Sequence, residues 1–246
     1  MRILVHGAAG QMGTVLRRMI GEGCRGSVLA GAVDEYTKDP TMLTSLQSFE
    51  GNADCIIDFS NHAATRILTE YAVAHKLPLV IATTGQTEEE HEMIRQAAET
   101  IPVFCSGNMS LGIALLAELA RMTAKMFPDA DVEIVEQHHN RKLDVPSGTA
   151  LMLAQAVQSV RPDSSLNIGR HENGKRPHNE IGIHSLRMGN TVGIHEVIVN
   201  TGTQIITLKH EAQDRALFAE GALAAAEFLV KQQPGLYNIN HIVNGV

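Results

Sequence analysis

The chain has 246 residues, 44% of them hydrophobic and 19% charged, a balance too apolar for a disordered polymer and too polar for a membrane bundle. Twenty Lys and Arg against 27 Asp and Glu leave a formal charge of −7. That excludes a general nucleic-acid surface but leaves room for a local basic pocket that takes a small anion. No apolar run approaches the ~20 residues needed to span a bilayer, and the apolar start Ile3–Val5 ends at once in His6-Gly7, without a signal-peptide layout. The cysteines, Cys24, Cys55 and Cys105, are odd in number and widely spaced, so no disulfide framework is expected. A cytoplasmic globular protein with no membrane or nucleic-acid partner is the expectation.

Arg2–His6 reads as a short buried strand, followed by Gly7-Ala8-Ala9-Gly10-Gln11-Met12-Gly13. Met12, Val15, Leu16, Met19 and Ile20 then recur at helical spacing. Further strands are predicted at 27–33, 55–59, 79–82 and 103–105, and helices at 62–75 and 87–99. Strand and helix alternate with short connections, which predicts a Rossmann-type doubly wound parallel sheet covered on both faces. From residue 110 the pattern changes. Helices are predicted at 110–126 and 147–159, with strands at 132–138, 181–187, 192–200 and 204–210, the last two joined as a hairpin through Thr201-Gly202-Thr203. The polar, turn-rich 161–180 segment predicts a flexible loop, and an Ala-rich helix occupies 213–230. The expected architecture is α/β, with a dinucleotide-binding domain of residues 1–109 and 215–246. An α+β domain with a mixed sheet, residues 110–214, is inserted between them.

Gly7, Gly10 and Gly13 sit between a strand and a helix, where backbone must turn tightly and approach a pyrophosphate at a helix N-terminus. Asp34 closes the second strand about 20 residues further on, the usual place for a carboxylate that holds a ribose hydroxyl. The adjacent Glu35 would repel a 2′-phosphate, so Asp34-Glu35 favours NADH over NADPH, with Lys38 as a partial offset. Thr83-Thr84-Gly85 and Ser106-Gly107-Asn108-Met109 follow predicted strand ends, where ligands bind to open parallel sheets.

The stretch from Glu136 to Ala150, EQHHNRKLDVPSGTA, places four cationic or potentially cationic residues within five positions of an acidic chain. Pro146-Ser147-Gly148-Thr149 then opens a helix whose free amides, with the Ser147 and Thr149 hydroxyls, make a cradle for a carboxylate. His139 and Lys142 can add charge to it. A solvated basic loop followed by a capped helix is the alternative. Adjacent histidines on a strand point to opposite faces, and there is neither HExxH spacing nor a thiolate cluster, so no metal site is expected. His6, His184, His195 and His210 read as structural or surface histidines, and Arg187 and Lys175-Arg176 as weaker candidates for the cleft.

Taken with the glycine turn, Ala82-Thr83-Thr84-Gly85, Ser106-Gly107-Asn108-Met109-Ser110 and Arg187-Met188-Gly189-Asn190-Thr191-Val192-Gly193-Ile194-His195, this stretch resembles 4-hydroxy-tetrahydrodipicolinate (dihydrodipicolinate) reductases of lysine biosynthesis. The resemblance runs nearly end to end. It implies NAD(P)H-dependent reduction of a cyclic imine dicarboxylate to tetrahydrodipicolinate, in a homotetramer assembled through the sheets of the second domain. By motif position His138 is similar to the family's proton donor/acceptor and Lys142 to its second proton donor. His139, Gly148 and Thr149 resemble the substrate-carboxylate contacts. Gly7, Ala8, Ala9, Gly10, Gln11, Met12, Asp34, Ala82, Thr83, Thr84, Ser106, Gly107, Asn108 and Met109 resemble the cofactor contacts. Ala82 stands where the family often has Gly, Val145 where it has Ala, and Ile194 where Glu is common. Two alternatives are another two-domain Rossmann amino-acid dehydrogenase and a non-catalytic dinucleotide sensor; the sensor would have no use for a His-His/Lys group beside an anion cradle.

Overall fold

A computed structural model describes residues 1–245. The chain divides into two compact units, residues 1–111 together with the segment from Arg215 onward, and residues 112–214.

In the first unit, β1 (Arg2–His6), β2 (Val28–Val33), β3 (Cys55–Asp58), β4 (Leu79–Ile81) and β5 (Pro102–Cys105) alternate with α1 (Gln11–Gly21), α2 (Thr65–His75) and α3 (Glu88–Ala98). All pair in parallel, and Gly235–Tyr237 adds a further strand beside β5, so the order runs from that edge strand through β5, β4, β3 and β1 to β2. Ile3, Leu4, Val5, Ile56, Ile57, Leu79, Val80, Val103 and Phe104 are fully buried. Such continuous apolar runs suit strands covered on both faces. The chain leaves β1 toward β2 and then returns to build β3 on the other side of β1. The sheet's topological switch point therefore lies between the ends of β1 and β3, the place where open α/β sheets bind ligands. The Ala-rich helix α6 (Ala216–Leu229, numbered in chain order) packs against β3, β4, β5 and α1. A Cβ at its Gly221 would lie 1.7 Å from the Met109 carbonyl oxygen, so only glycine allows this approach.

The second unit holds α4 (Leu111–Met126, which starts at the boundary), β6 (Asp131–His138), α5 (Gly148–Gln158), β7 (Ser165–Ile168), β8 (Glu180–Arg187), β9 (Gly193–Asn200) and β10 (Ile205–Ala212). Its mixed sheet runs β10-β9-β6-β8-β7, with β6, β8 and β7 parallel and β9 and β10 antiparallel to their neighbours. In chain order the edge strand Gly235–Tyr237 is β11, and α7 (Ile239–Asn244) follows it. Val132 and Ile134 of β6, Ile181 and Ile183 of β8, and Val197 and Val199 of β9 form one apolar face under Leu116, Ala120, Leu153 and Val157 of the helices. Period-two alternation makes that face, and the next inward positions along it are polar.

The structure corrects the reading of 161–180 as a flexible loop. Ser165–Ile168 is an edge strand paired with β8. Leu166 and Ile168 face outward and are exposed, while Asn167 between them donates to Glu180 Oε2 at 2.8 Å, so the strand lacks the inward apolar period that marks one in sequence. Arg176 anchors the connection after it, reaching Asp131 Oδ1 at 2.8 Å, Glu133 Oε1 at 3.1 Å and the Val132 carbonyl at 3.0 Å. Three-residue β11 was also beyond sequence periodicity.

Candidate active site

In the first unit the glycine turn divides its labour. Gly7 has φ +72°, and a Cβ there would lie 2.7 Å from the backbone of Phe59 and Ser60, while one at Gly13 would lie 2.1 Å from the Gly7 carbonyl oxygen. These two glycines let β1, α1 and the end of β3 close on one another. Gly10 is different: its added Cβ would meet only Gly7 O, at 3.3 Å, so its outer side is open to a ligand. It precedes α1, whose N-terminus has no side-chain cap, which leaves first-turn amides of Gln11 and Met12 suited to a phosphate. Asp34 lies beside the same turn, where Oδ2 accepts the Ala9 N–H at 3.0 Å and Oδ1 the Tyr36 N–H at 3.1 Å. Each oxygen keeps further acceptor capacity for a ribose hydroxyl. Ala82, Thr83 and Thr84 follow β4, and Ser106, Gly107, Asn108 and Met109 follow the adjacent β5. The Ser106 hydroxyl donates to the Asn108 carbonyl at 2.9 Å, and Asn108 Oδ1 accepts from Ser110 N at 2.9 Å. The predicted cofactor residues thus gather at the carboxyl ends of β1, β2, β4 and β5, and they fit a dinucleotide.

In the second unit, three strands carry polar side chains onto the face that is apolar further back. On β6, Glu136 and His138 continue the inward phase of Val132 and Ile134; Arg187 lies across from His138 on β8, and His195 across from Glu136 on β9. Glu136 is fully buried. Its Oε2 takes His138 Nδ1 and Arg187 Nη1, the latter at 2.9 Å, while Oε1 takes Arg187 Nη2 at 2.8 Å and the Ser147 N–H at 3.2 Å. Burial alone would push the Glu136 carboxyl up, but the hydrogen bonds from His138 and Arg187 outweigh it and hold the group well below the usual carboxylate range. An ionised carboxylate only accepts, so His138 must donate from Nδ1, which leaves Nε2 to exchange a proton.

His195 is also buried. Its ring lies edge-on to that of His138 with centroids 5.1 Å apart, and its Nε2 is 3.3 Å from Ser147 Oγ. Burial, with repulsion from His138, lowers its pKa to about 4, so it is neutral at pH 7. Gly193 lies beneath both rings; a Cβ there would sit 3.2 Å from His138 Nε2.

Beyond β6 the chain turns back on itself. Asn140 N–H donates to the Gly189 carbonyl at 3.2 Å and Arg141 to Asn190 Oδ1 at 2.9 Å, which stitches this loop to the one after β8. Lys142 Nζ is 2.9 Å from Asp144 Oδ1, and this partner lowers the Asp144 carboxyl. Ser147 is buried and caps α5 by accepting the Ala150 N–H at 3.2 Å. Its hydroxyl is thus engaged inside the protein, and the solvent-facing part of the expected cradle is Gly148, where an added Cβ would meet nothing within 4 Å, with the half-buried Thr149 and His139 nearby in sequence.

Sequence pattern alone gives Glu136 no role, makes Arg187 a weaker candidate and reads His195 as structural or surface. The signal was present: Glu136, His138 and His195 occupy the same alternate positions as core valines and isoleucines, where a charged group needs a partner. Potential ligand atoms of Glu136, His138 and His195 lie within 4.8 Å of one another. Arg187 already pairs with both Glu136 oxygens, so a metal ion would have to displace a guanidinium.

A glycine turn on a parallel sheet, and a second unit with a buried acid beside the start of α5, define a two-unit dinucleotide-dependent oxidoreductase. Residues 1–109 match the family described as "Dihydrodipicolinate reductase, N-terminus", and residues 112–243 its "C-terminus". A "4-hydroxy-tetrahydrodipicolinate reductase" of Caldanaerobacter subterraneus subsp. tengcongensis is 44% identical over 98% of each chain. One of Rickettsia akari is 40% identical over 98% of this chain and 95% of its own. In fold, the chain is similar to a dipicolinate-bound dihydrodipicolinate reductase from Paenisporosarcina sp. TG-14, at TM-score 0.82 and 24% identity over 98% of each chain. A myo-inositol dehydrogenase from Corynebacterium glutamicum shares the fold more distantly, at TM-score 0.59 and 15% identity over 96% of this chain and 90% of its own. The chain belongs to the dihydrodipicolinate reductase family.

Proposed function

We propose that the chain reduces 4-hydroxy-tetrahydrodipicolinate to tetrahydrodipicolinate with NAD(P)H, in the diaminopimelate route of lysine biosynthesis. The observation that carries the reading is the Glu136–His138 pair, set beside the start of α5 and followed by Lys142. Family membership over both halves does not favour the amino-acid dehydrogenase or the sensor.

The first unit holds the cofactor: the α1 amides and Gly10 take the pyrophosphate, and Asp34 takes the adenosine ribose. The bound reduced nicotinamide supplies the hydride. In the second unit the start of α5 at the exposed Gly148, with Thr149 and His139, binds a substrate carboxylate. Reduction also consumes one proton and releases the 4-hydroxyl as water. His138 Nε2 donates that proton, because Glu136 confines the other ring proton to Nδ1. Lys142, steadied by Asp144, supplies positive charge near the substrate and protonates the departing hydroxyl, a proton balanced by the one that the neighbouring ring carbon gives up as water is eliminated.

Asp34 followed by the exposed Glu35 supports a preference for NADH, and the ratio of kcat/KM for NADH and NADPH tests it. We also assign the protein to the cytoplasm as a homotetramer joined through the second-unit sheets. No helix among the described residues is long and apolar enough to cross a membrane, and sedimentation measures the assembly. The decisive assay supplies the cyclic imine enzymatically from pyruvate and aspartate semialdehyde and follows NADH oxidation. Oxidation that fails to depend on the imine would remove the reading.

A further inference from the structure

We infer that Asp58 is a positioning residue for the cofactor loop after β4. It rests on the first unit being the cofactor site. Asp58 ends β3 at the switch point, in register with His6 at the end of β1 and Ile81 at the end of β4. Its side chain is 1% exposed. Oδ1 is 2.8 Å from His6 Nδ1 and accepts the Ser60 N–H at 3.1 Å and the Ser60 hydroxyl at 2.6 Å; Oδ2 accepts the Thr83 hydroxyl at 2.6 Å. The backbone adds two ties, Phe59 N–H to the His6 carbonyl at 3.1 Å and Ala82 N–H to the Asp58 carbonyl at 3.0 Å.

One buried carboxylate thereby fastens the three strand ends that frame the switch point. The Phe59–Ser60 backbone that it holds is the same backbone on which Gly7 closes. The Thr83 that it holds carries the next turn, since Gln86 Nε2 donates to the Thr83 carbonyl at 2.9 Å. Burying a charge among convergent polar groups is costly unless the arrangement they impose is needed. Here it sets the placement of the Thr83-Thr84 loop relative to the glycine turn, and hence of both loops against one dinucleotide.

The test is NADH binding, read from nicotinamide fluorescence, in Asp58→Ala, Thr83→Val and the double variant, with Thr83→Ser and Asp58→Asn as conservative controls and circular dichroism as the check on folding. We expect Asp58→Ala to raise the Kd for NADH roughly tenfold or more, the scale of a buried donor left without its acceptor. Thr83→Val should weaken binding, Thr83→Ser should not, and Asp58→Asn should recover most of the loss. The double variant should be no worse than Asp58→Ala, and the KM for NADH should rise while that for the imine stays at the wild-type value. Losses that simply add, or a Thr83→Val protein that binds NADH normally, overturn the inference; the latter decides even if Asp58→Ala does not fold. Wild-type protein that binds no NADH overturns the cofactor reading and this inference with it.

Discussion

Replacing Glu136 with Gln changes one atom in the buried centre of the second unit. Glu136 receives four groups: His138 Nδ1, two Arg187 nitrogens and the Ser147 N–H. An amide offers one acceptor oxygen and one donating nitrogen, so whichever way it turns, an N–H faces a donor. If its nitrogen faces Oε2's partners, His138 loses the acceptor that sets its tautomer. If it faces the other side, Ser147 loses the bond that ties α5 to β6. In both cases Arg187 keeps its charge without a counter-charge, and breaking a buried pair from one side costs about 3–5 kcal/mol. Urea unfolding of the second unit should show a loss of that order near neutral pH. Because the folded carboxyl is depressed, the stability it contributes is fully present above the ordinary Glu value near ~4.3, begins to fall below it and is lost as pH falls on through the lower folded value; the gap between wild type and variant should narrow in acid. In the coupled assay kcat should fall about 10²–10⁴-fold, the usual worth of a positioned general acid, with the Kd for NADH unchanged. A deshielded His138 Nδ1 proton resonance should vanish with it. A variant that keeps wild-type kcat would refute the assignment of His138's proton to Glu136.

His195 titrates at about 4 in the fold against 6.5 in its unperturbed state, so the unfolded chain binds the extra proton between those values. Wild type should therefore lose about 3 kcal/mol as pH drops from 6.5 to 4, and His195→Gln should flatten that slope; an identical slope would show that another group is responsible. Gly193→Ala places a methyl 3.2 Å from His138 Nε2, which requires a shift of a few tenths of an ångström. Roughly tenfold loss of kcat is expected for an acid moved that far, and full activity would mean that Nε2 is not the proton-carrying atom. Lys142→Ala should lower kcat about 10²–10⁴-fold with little change in NADH binding, whereas an unaltered kcat would take Lys142 out of the chemistry.

Local pattern alone carried the parallel sheet, because strands buried on both faces write themselves as unbroken apolar runs such as Ile3–Val5 and Cys55–Ile57. It also carried the glycine turn and the His138–Thr149 stretch, whose residues are contiguous and whose helix start is marked by Pro146-Ser147. The short edge strands β7 and β11 escaped it, since a strand with one neighbour needs no inward apolar period. The partners of His138 escaped it for another reason. Glu136, Arg187 and His195 come from three strands, and which of them meet depends on sheet order and register, both set by pairing between segments about 50 residues apart. Asp58 belongs to the same class: in sequence it is one acid after an apolar run, and it becomes the fastening of β1, β3 and β4 only once the sheet has brought His6 and Thr83 to either side of it.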